Sequence, residues 1–242
     1  MAVCLDVGRR IGIRWRAKSD GASPAFGGVE SAVFSLFGLL LAFTFSGAPA
    51  RLDARRHLIA EETNAISTAY LRIDLLSPDS QPAMRQRFRD YLDSRLDVYR
   101  VMPDIEAAKA GLVKSEKLQQ AIWKGAIAGA SSPGAQPDAM KLNVPALNAM
   151  IDITTTRTVA ASIHPPMVIY GLLFALALVT SMIGGFGMAY TTQRSWLHIG
   201  AFVLMAVLTV YTVIEIEYPR LGLLPAESSY DQVLVDLRHN MD

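Results

Sequence analysis

The chain contains a single cysteine, Cys4, and only four histidines in 242 residues. One cysteine excludes an intramolecular disulfide and every paired-cysteine metal or redox motif. No two of His57, His164, His198 and His239 fall within one helical turn of each other, so no transition-metal site is expected, and no cofactor. Nucleophile-elbow, zinc-protease, phosphate-loop and Cys–His signatures are also missing, and the sequence gives no reason to expect an enzyme. Lys and Arg number 23 against 22 Asp and Glu, for a formal net charge of +1. Such a balance sets up no overall field that would recruit nucleic acid.

The most telling absence is local. Asp, Glu, Lys and Arg do not occur at all in 31–50, 165–193 or 195–214. Elsewhere charge is present at the density of an ordinary water-soluble domain, yet the mean hydropathy of the whole chain is +0.27. A disordered chain and a simple soluble globule are both excluded by this pattern. About 20 apolar residues at 1.5 Å rise cross a hydrocarbon core of about 30 Å. The sequence therefore predicts an all-α protein with three membrane spans, at 29–48, 167–190 and 196–214. Tyr170, Tyr190, Trp196, Tyr211 and Tyr218 cluster near the ends of the last two, where amphipathic rings favour the headgroup level. The five residues Thr191–Ser195 make these two spans an antiparallel hairpin.

A basic juxtamembrane linker occupies 1–28, an insert 49–165, and a C-terminal tail 215–242. The insert reads as helix, broken at Ser77–Pro82, Pro103 and Ser131–Pro137. Between the breaks, apolar residues recur at helical spacing: Ile59, Ile66, Ala69, Ile73 and Leu76; Met84, Phe88, Tyr91, Tyr99 and Met102; Leu147, Ile151, Thr154 and Thr158. Arg95 interrupts the second series. The first span has no strong stop, and a long helix kinked near Pro49 is expected to carry it into the insert.

Five stretches in order carry a family resemblance: FGLLLAFTFSGAPARLDARR at 37–56, EETNAISTAYLRIDLL at 61–76, RDYLDSRL at 89–96, LNAMIDITTTR at 147–157 and IEIEYPRLGLL at 214–224. Together they make the chain similar to the bestrophin-like domain family of bacterial and plant membrane proteins. The resemblance implies a fourth span ahead of the basic linker and a bacterial inner (plasma) membrane location. It also implies a likeness to bestrophins themselves, in which apolar rings narrow an oligomeric anion pore.

Helical spacing singles out several candidate residues. Ser31, Ser35, Gly38, Ala42 and Ser46 share one face of the first span, either as a helix-packing seam or as a pore or subunit interface. Beside them Phe37, Leu41 and Phe45 form a stripe that either lines a pore or faces lipid. Arg51 and Arg55, one turn apart past the first span, are candidates for contacting anions or lipid phosphate, or are simply solvated. Glu62, Asn64, Arg72, Asp152 and Arg157 are expected to join helices of the insert through a polar network. Glu215 and Glu217, two apart on the third span, point to different faces and are expected to stay hydrated.

The functional expectation is an oligomeric ion channel, with the lipid bilayer, further copies of the chain and inorganic anions as partners. The alternative is a non-conducting scaffold or sensor whose insert binds another protein. Six basic residues near the membrane on the linker side against five on the insert side lean toward an insert outside the cytoplasm, whereas the analogy with bestrophins places it inside.

Overall fold

A run of apolar residues long enough to cross a bilayer must satisfy its own backbone hydrogen bonds, and helix is the way a single segment does so. The computed structural model describes residues 1–18, 27–101, 104–190, 196–218 and 232–241. Among them are eight α-helices and no strand: α1 (Ala2–Lys18), α2 (Gly27–Leu71), α3 (Gln81–Arg100), α4 (Ile105–Ala130), α5 (Ala139–Ser162), α6 (Met167–Gly187), α7 (Trp196–Glu217) and α8 (Gln232–His239). The 191–195 link with Arg194, and Met102, Pro103 and Arg220, lie outside the described residues, as do the side chains of Tyr99, Tyr190 and Trp196.

Three helical segments, within 27–75, 139–187 and 200–217, are long and apolar enough to cross a membrane. Only 11% to 22% of their most apolar windows is buried within the chain. Phe43, Phe174, Leu204 and Met205 are all more than half exposed, a costly arrangement in water and a natural one in lipid. The chain divides into two units.

The first unit comprises Met1–Arg51 and His164–Glu217. Phe37, Leu173, Ala177 and Ala206 form its small core, with an edge-to-face pair of Phe34 and Phe202 at 5.7 Å. Residues 2–18, which composition offers only as a basic linker, form a helix packed on α6. Glycine permits this approach. A Cβ at Gly8 would collide with the Met182 carbonyl, one at Gly12 would stand 2.8 Å from the Phe186 carbonyl oxygen, and one at Gly185 would meet the Leu5 carbonyl. Small residues at such crossings let backbones touch where lipid supplies no hydrophobic drive. Gly8→Leu is therefore expected to lower stability by about 1–3 kcal/mol or more, since backbone and not a movable side chain is in the way. Thermal melting in detergent checks this, with Val7→Leu on the exposed face as the silent control.

The second unit comprises Leu52–Ile163 and Tyr218–Asp242. Residues 52–71 belong to α2, whose helix includes Pro49, although Pro49 gives the Phe45 carbonyl no amide donor. Ile66, Ile73, Met84, Phe88, Leu92, Ile122, Leu147 and Met150 are buried together in one core. Asp104 caps α4 by accepting from the Glu106 and Ala107 amides at 3.1 and 3.0 Å, the usual way to satisfy a helix's first free donors. Between α4 and α5 the chain turns at Gly134, whose φ of +83° suits glycine. The turn is tied down by the Gln136 amide, which donates to the Leu75 carbonyl at 2.9 Å. The C-terminal stretch is more than a tail: α8 packs on α3, with Leu234 and Met241 buried in the same core.

Candidate functional site

Charged side chains on the inner face of a helical bundle need partners, because desolvation costs several kcal/mol per ion. Glu62 of α2 occupies such a position, one turn before Ile66 on the buried face, and is itself fully buried. Arg95 of α3 donates from Nε to Glu62 Oε1 at 2.7 Å, and Arg157 of α5 donates from Nη1 to Oε2. Burial alone would raise the Glu62 carboxyl. The two guanidiniums more than reverse that, and it lies below its ordinary value.

A neutral relay lies in the same core. Gln119 of α4 donates to the Tyr91 hydroxyl at 3.0 Å and to Thr154 Oγ1 at 3.2 Å. Thr154 donates onward to the Met150 carbonyl, so the Tyr91 hydroxyl, 2.9 Å away, donates to Thr154. Burial pushes the Tyr91 phenol upward, which keeps it protonated and a donor. Ser94 and Ser115 add a hydroxyl pair at 2.8 Å. The second unit's four principal helices are thus joined by one polar layer within an otherwise apolar core.

Of the residues expected to form a network, Glu62 and Arg157 come together and the others do not. Asn64 and Asp152 are exposed. Arg72 engages α5 elsewhere, donating to the Leu142 carbonyl, while its own carbonyl accepts from Asn143 Nδ2 at 3.1 Å. The member the sequence reading missed is Arg95, taken there as an interruption of an apolar series. It follows Tyr91 by four residues on the buried face, and that register was the available signal.

A second constellation sits in the first unit. The chain leaves or enters this unit next to Arg51, His164 and Glu217, and those three residues meet. Arg51 Nε donates to Glu217 Oε1 at 2.7 Å, and His164 Nδ1 lies 3.7 Å from Glu217 Oε2. This corrects two expectations. Glu217 and Glu215 are buried, not hydrated. Arg51 pairs with a carboxylate of its own chain and is not simply solvated, although its side chain stays about a third exposed; Arg55, in the second unit, is half-buried. The sequence offers no local hint of a pair separated by 166 positions.

The faces of the first span also sort differently from the expectation. Phe37 is 4% exposed against α6 and α7, and Leu41 packs against the same cluster. Side chains filled by packing within one chain do not border a channel between copies, so these two leave the pore-lining set. Phe45 is exposed. Ser31, Ser35, Gly38, Ala42 and Ser46 are all exposed, and nothing approaches within 4 Å of a Cβ placed on Gly38. Ser31 donates to the Gly27 carbonyl of its own helix at 2.8 Å.

No group of three or more His, Cys, Asp or Glu side chains poised for a metal ion occurs among the described residues. These features define a helical membrane protein with apolar spans and a large helical insert. The Bestrophin-like domain family matches residues 7–225, and the chain belongs to that family. Comparison with curated proteins and with solved structures finds no match in either.

Proposed function

We propose that the protein is a homo-oligomeric channel for inorganic anions in the plasma (inner) membrane. Its first span would present the face bearing Ser31, Ser35, Gly38, Ala42 and Ser46, with Phe45 at its edge, to the axis between copies. The observation that carries this reading is on α2: Phe37 and Leu41 turn inward, while the face bearing Ser31, Ser35, Gly38, Ala42 and Ser46 is left uncovered within the chain, alongside the exposed Leu36, Leu39 and Phe43. Small residues favour close helix approach between copies, and hydroxyls ease hydrated ions. Family membership supports the same reading.

Purified protein in planar bilayers is expected to pass anion current. Gly38→Trp, placed where the chain's own fold leaves open space, is expected to block most of it, and Phe45→Ala to alter it. Silent recordings from a verified oligomer overturn the proposal. A scaffold or sensor reading is favoured by one observation, an open groove of about 430 Å³ bordered by Gln119, Trp123 and Lys124 of α4 and Asn148 and Ile151 of α5. Crosslinking from Lys124 that traps a different protein in native membranes supports it, and a conducting channel with no such adduct excludes it.

A further inference from the structure

We infer that the first unit holds a phospholipid with an ammonium headgroup, of the phosphatidylethanolamine type, in the crevice between α1, α2 and α6. A cavity of about 280 Å³ opens there, close to the lower end of small-ligand sites. Gly8 and Ile11 of α1, Val29 and Glu30 of α2, and Ile183 and Phe186 of α6 form its walls. The wall is hydrocarbon throughout, suited to an acyl chain.

Glu30 lends that wall its hydrocarbon stem, and its carboxylate lies beyond the slot. It lies over the end of α6, where a Cβ on Gly187 would stand 3.8 and 3.9 Å from its two oxygens. Among the described residues it has neither an ion pair nor a hydrogen bond, although α1 carries Arg9, Arg10, Arg14, Arg16 and Lys18. Arg10 pairs with Asp6, and Arg16 donates to the Ala189 carbonyl at 3.3 Å. Arg14 and Lys18 have no partner among the described residues, and follow Ile11 by three and seven positions on the same helical face.

The crevice thus offers an apolar slot, a carboxylate at its rim and cations one and two turns further along the same wall. Glu30 also begins a charge-free run that ends at Arg51, 21 residues or about 32 Å of helix later, which puts it at the headgroup level of a bilayer. A lipid with a tail, a phosphate and a primary ammonium meets all three features. A choline head fills the rim but donates no hydrogen bond to Glu30, and an anionic head without an amine leaves that carboxylate unpaired beside added negative charge. The inference does not depend on whether the protein conducts.

The test reconstitutes the full chain in nanodiscs containing equal phosphatidylethanolamine, phosphatidylcholine and phosphatidylglycerol. The lipid that survives detergent extraction with the protein is then measured by native mass spectrometry. Wild type is expected to retain phosphatidylethanolamine over phosphatidylcholine by about tenfold, the scale of one charge-assisted hydrogen bond. Glu30→Gln is expected to lose that preference, Glu30→Asp to keep most of it, and Ile183→Trp to lose retention of every lipid by filling the slot. Equal retention of the two zwitterionic lipids by wild type overturns the inference whatever the variants do. So does a preference that survives Glu30→Gln, or phosphatidylglycerol as the retained species.

Discussion

Replacing Glu62 by Gln is expected to destabilise the second unit by about 3–5 kcal/mol, because it leaves the guanidiniums of Arg95 and Arg157 buried without their counter-charge. For a unit of this size that corresponds to a fall in melting temperature of roughly 10 °C or more. The Gln side chain fills nearly the same volume, so a loss of this size reports charge and not a cavity. Replacing all three members together, as Glu62→Leu with Arg95→Met and Arg157→Leu, is expected to recover most of it, since buried ion groups and apolar groups of similar shape are often close in free energy. If the triple variant is no more stable than Glu62→Gln, the charge explanation fails.

The same group gives a pH dependence. Its folded pKa lies below the unfolded value, about 4.3 for a Glu side chain. The stabilisation from Glu62 is therefore fully present above that value and is lost as pH falls through the lower, folded pKa. Between pH 7 and 5 this carboxyl contributes no slope. Below about pH 4.3 wild type is expected to lose stability more steeply than Glu62→Gln, narrowing the gap between them. Chemical denaturation at a series of pH values measures it directly, and a gap that stays constant down to pH 2 contradicts the assignment.

Arg51→Gln is the second large effect. It takes the guanidinium away from the Glu217 carboxylate, which is fully buried and has His164 Nδ1 3.7 Å away. A loss of about 2–4 kcal/mol is expected, somewhat below the usual range for a broken buried pair because the Arg51 side chain is about a third exposed. Glu217→Gln in the Arg51→Gln background is expected to restore part of it, and the double-mutant cycle isolates the coupling between the two. Strict additivity of the two single changes would show that the pair does not hold α2 to α7.

The spans were legible because the absence of charge is a property of composition over a window and needs no knowledge of partners. The helical character of the insert was legible because apolar residues repeated at its period. Which face of α2 turns inward was not. In a segment apolar all round, a neighbouring helix and the lipid select the same residue types, so Phe37 and Phe45 look alike until a partner such as Leu173 is placed beside one of them. Arg95 breaks the apolar series by residue type, yet its register with Tyr91 places it on the buried face. The Gly8 and Gly12 spacing in α1 did carry a packing signal, obscured by the arginines between and after them. Arg51 with Glu217 and Leu234 in the core are long-range consequences of topology, which no local pattern encodes.

The three apolar helices are expected to lie in a bilayer. Spin labels at Phe43, Phe174 and Leu204, with one at Ser132 in the insert, test this in reconstituted membranes by comparing access to dissolved oxygen with access to a water-soluble nickel complex. The first three are expected to be reached by oxygen and shielded from nickel, and Ser132 to show the reverse. Nickel access at Phe174 and Leu204 equal to that at Ser132 would contradict it.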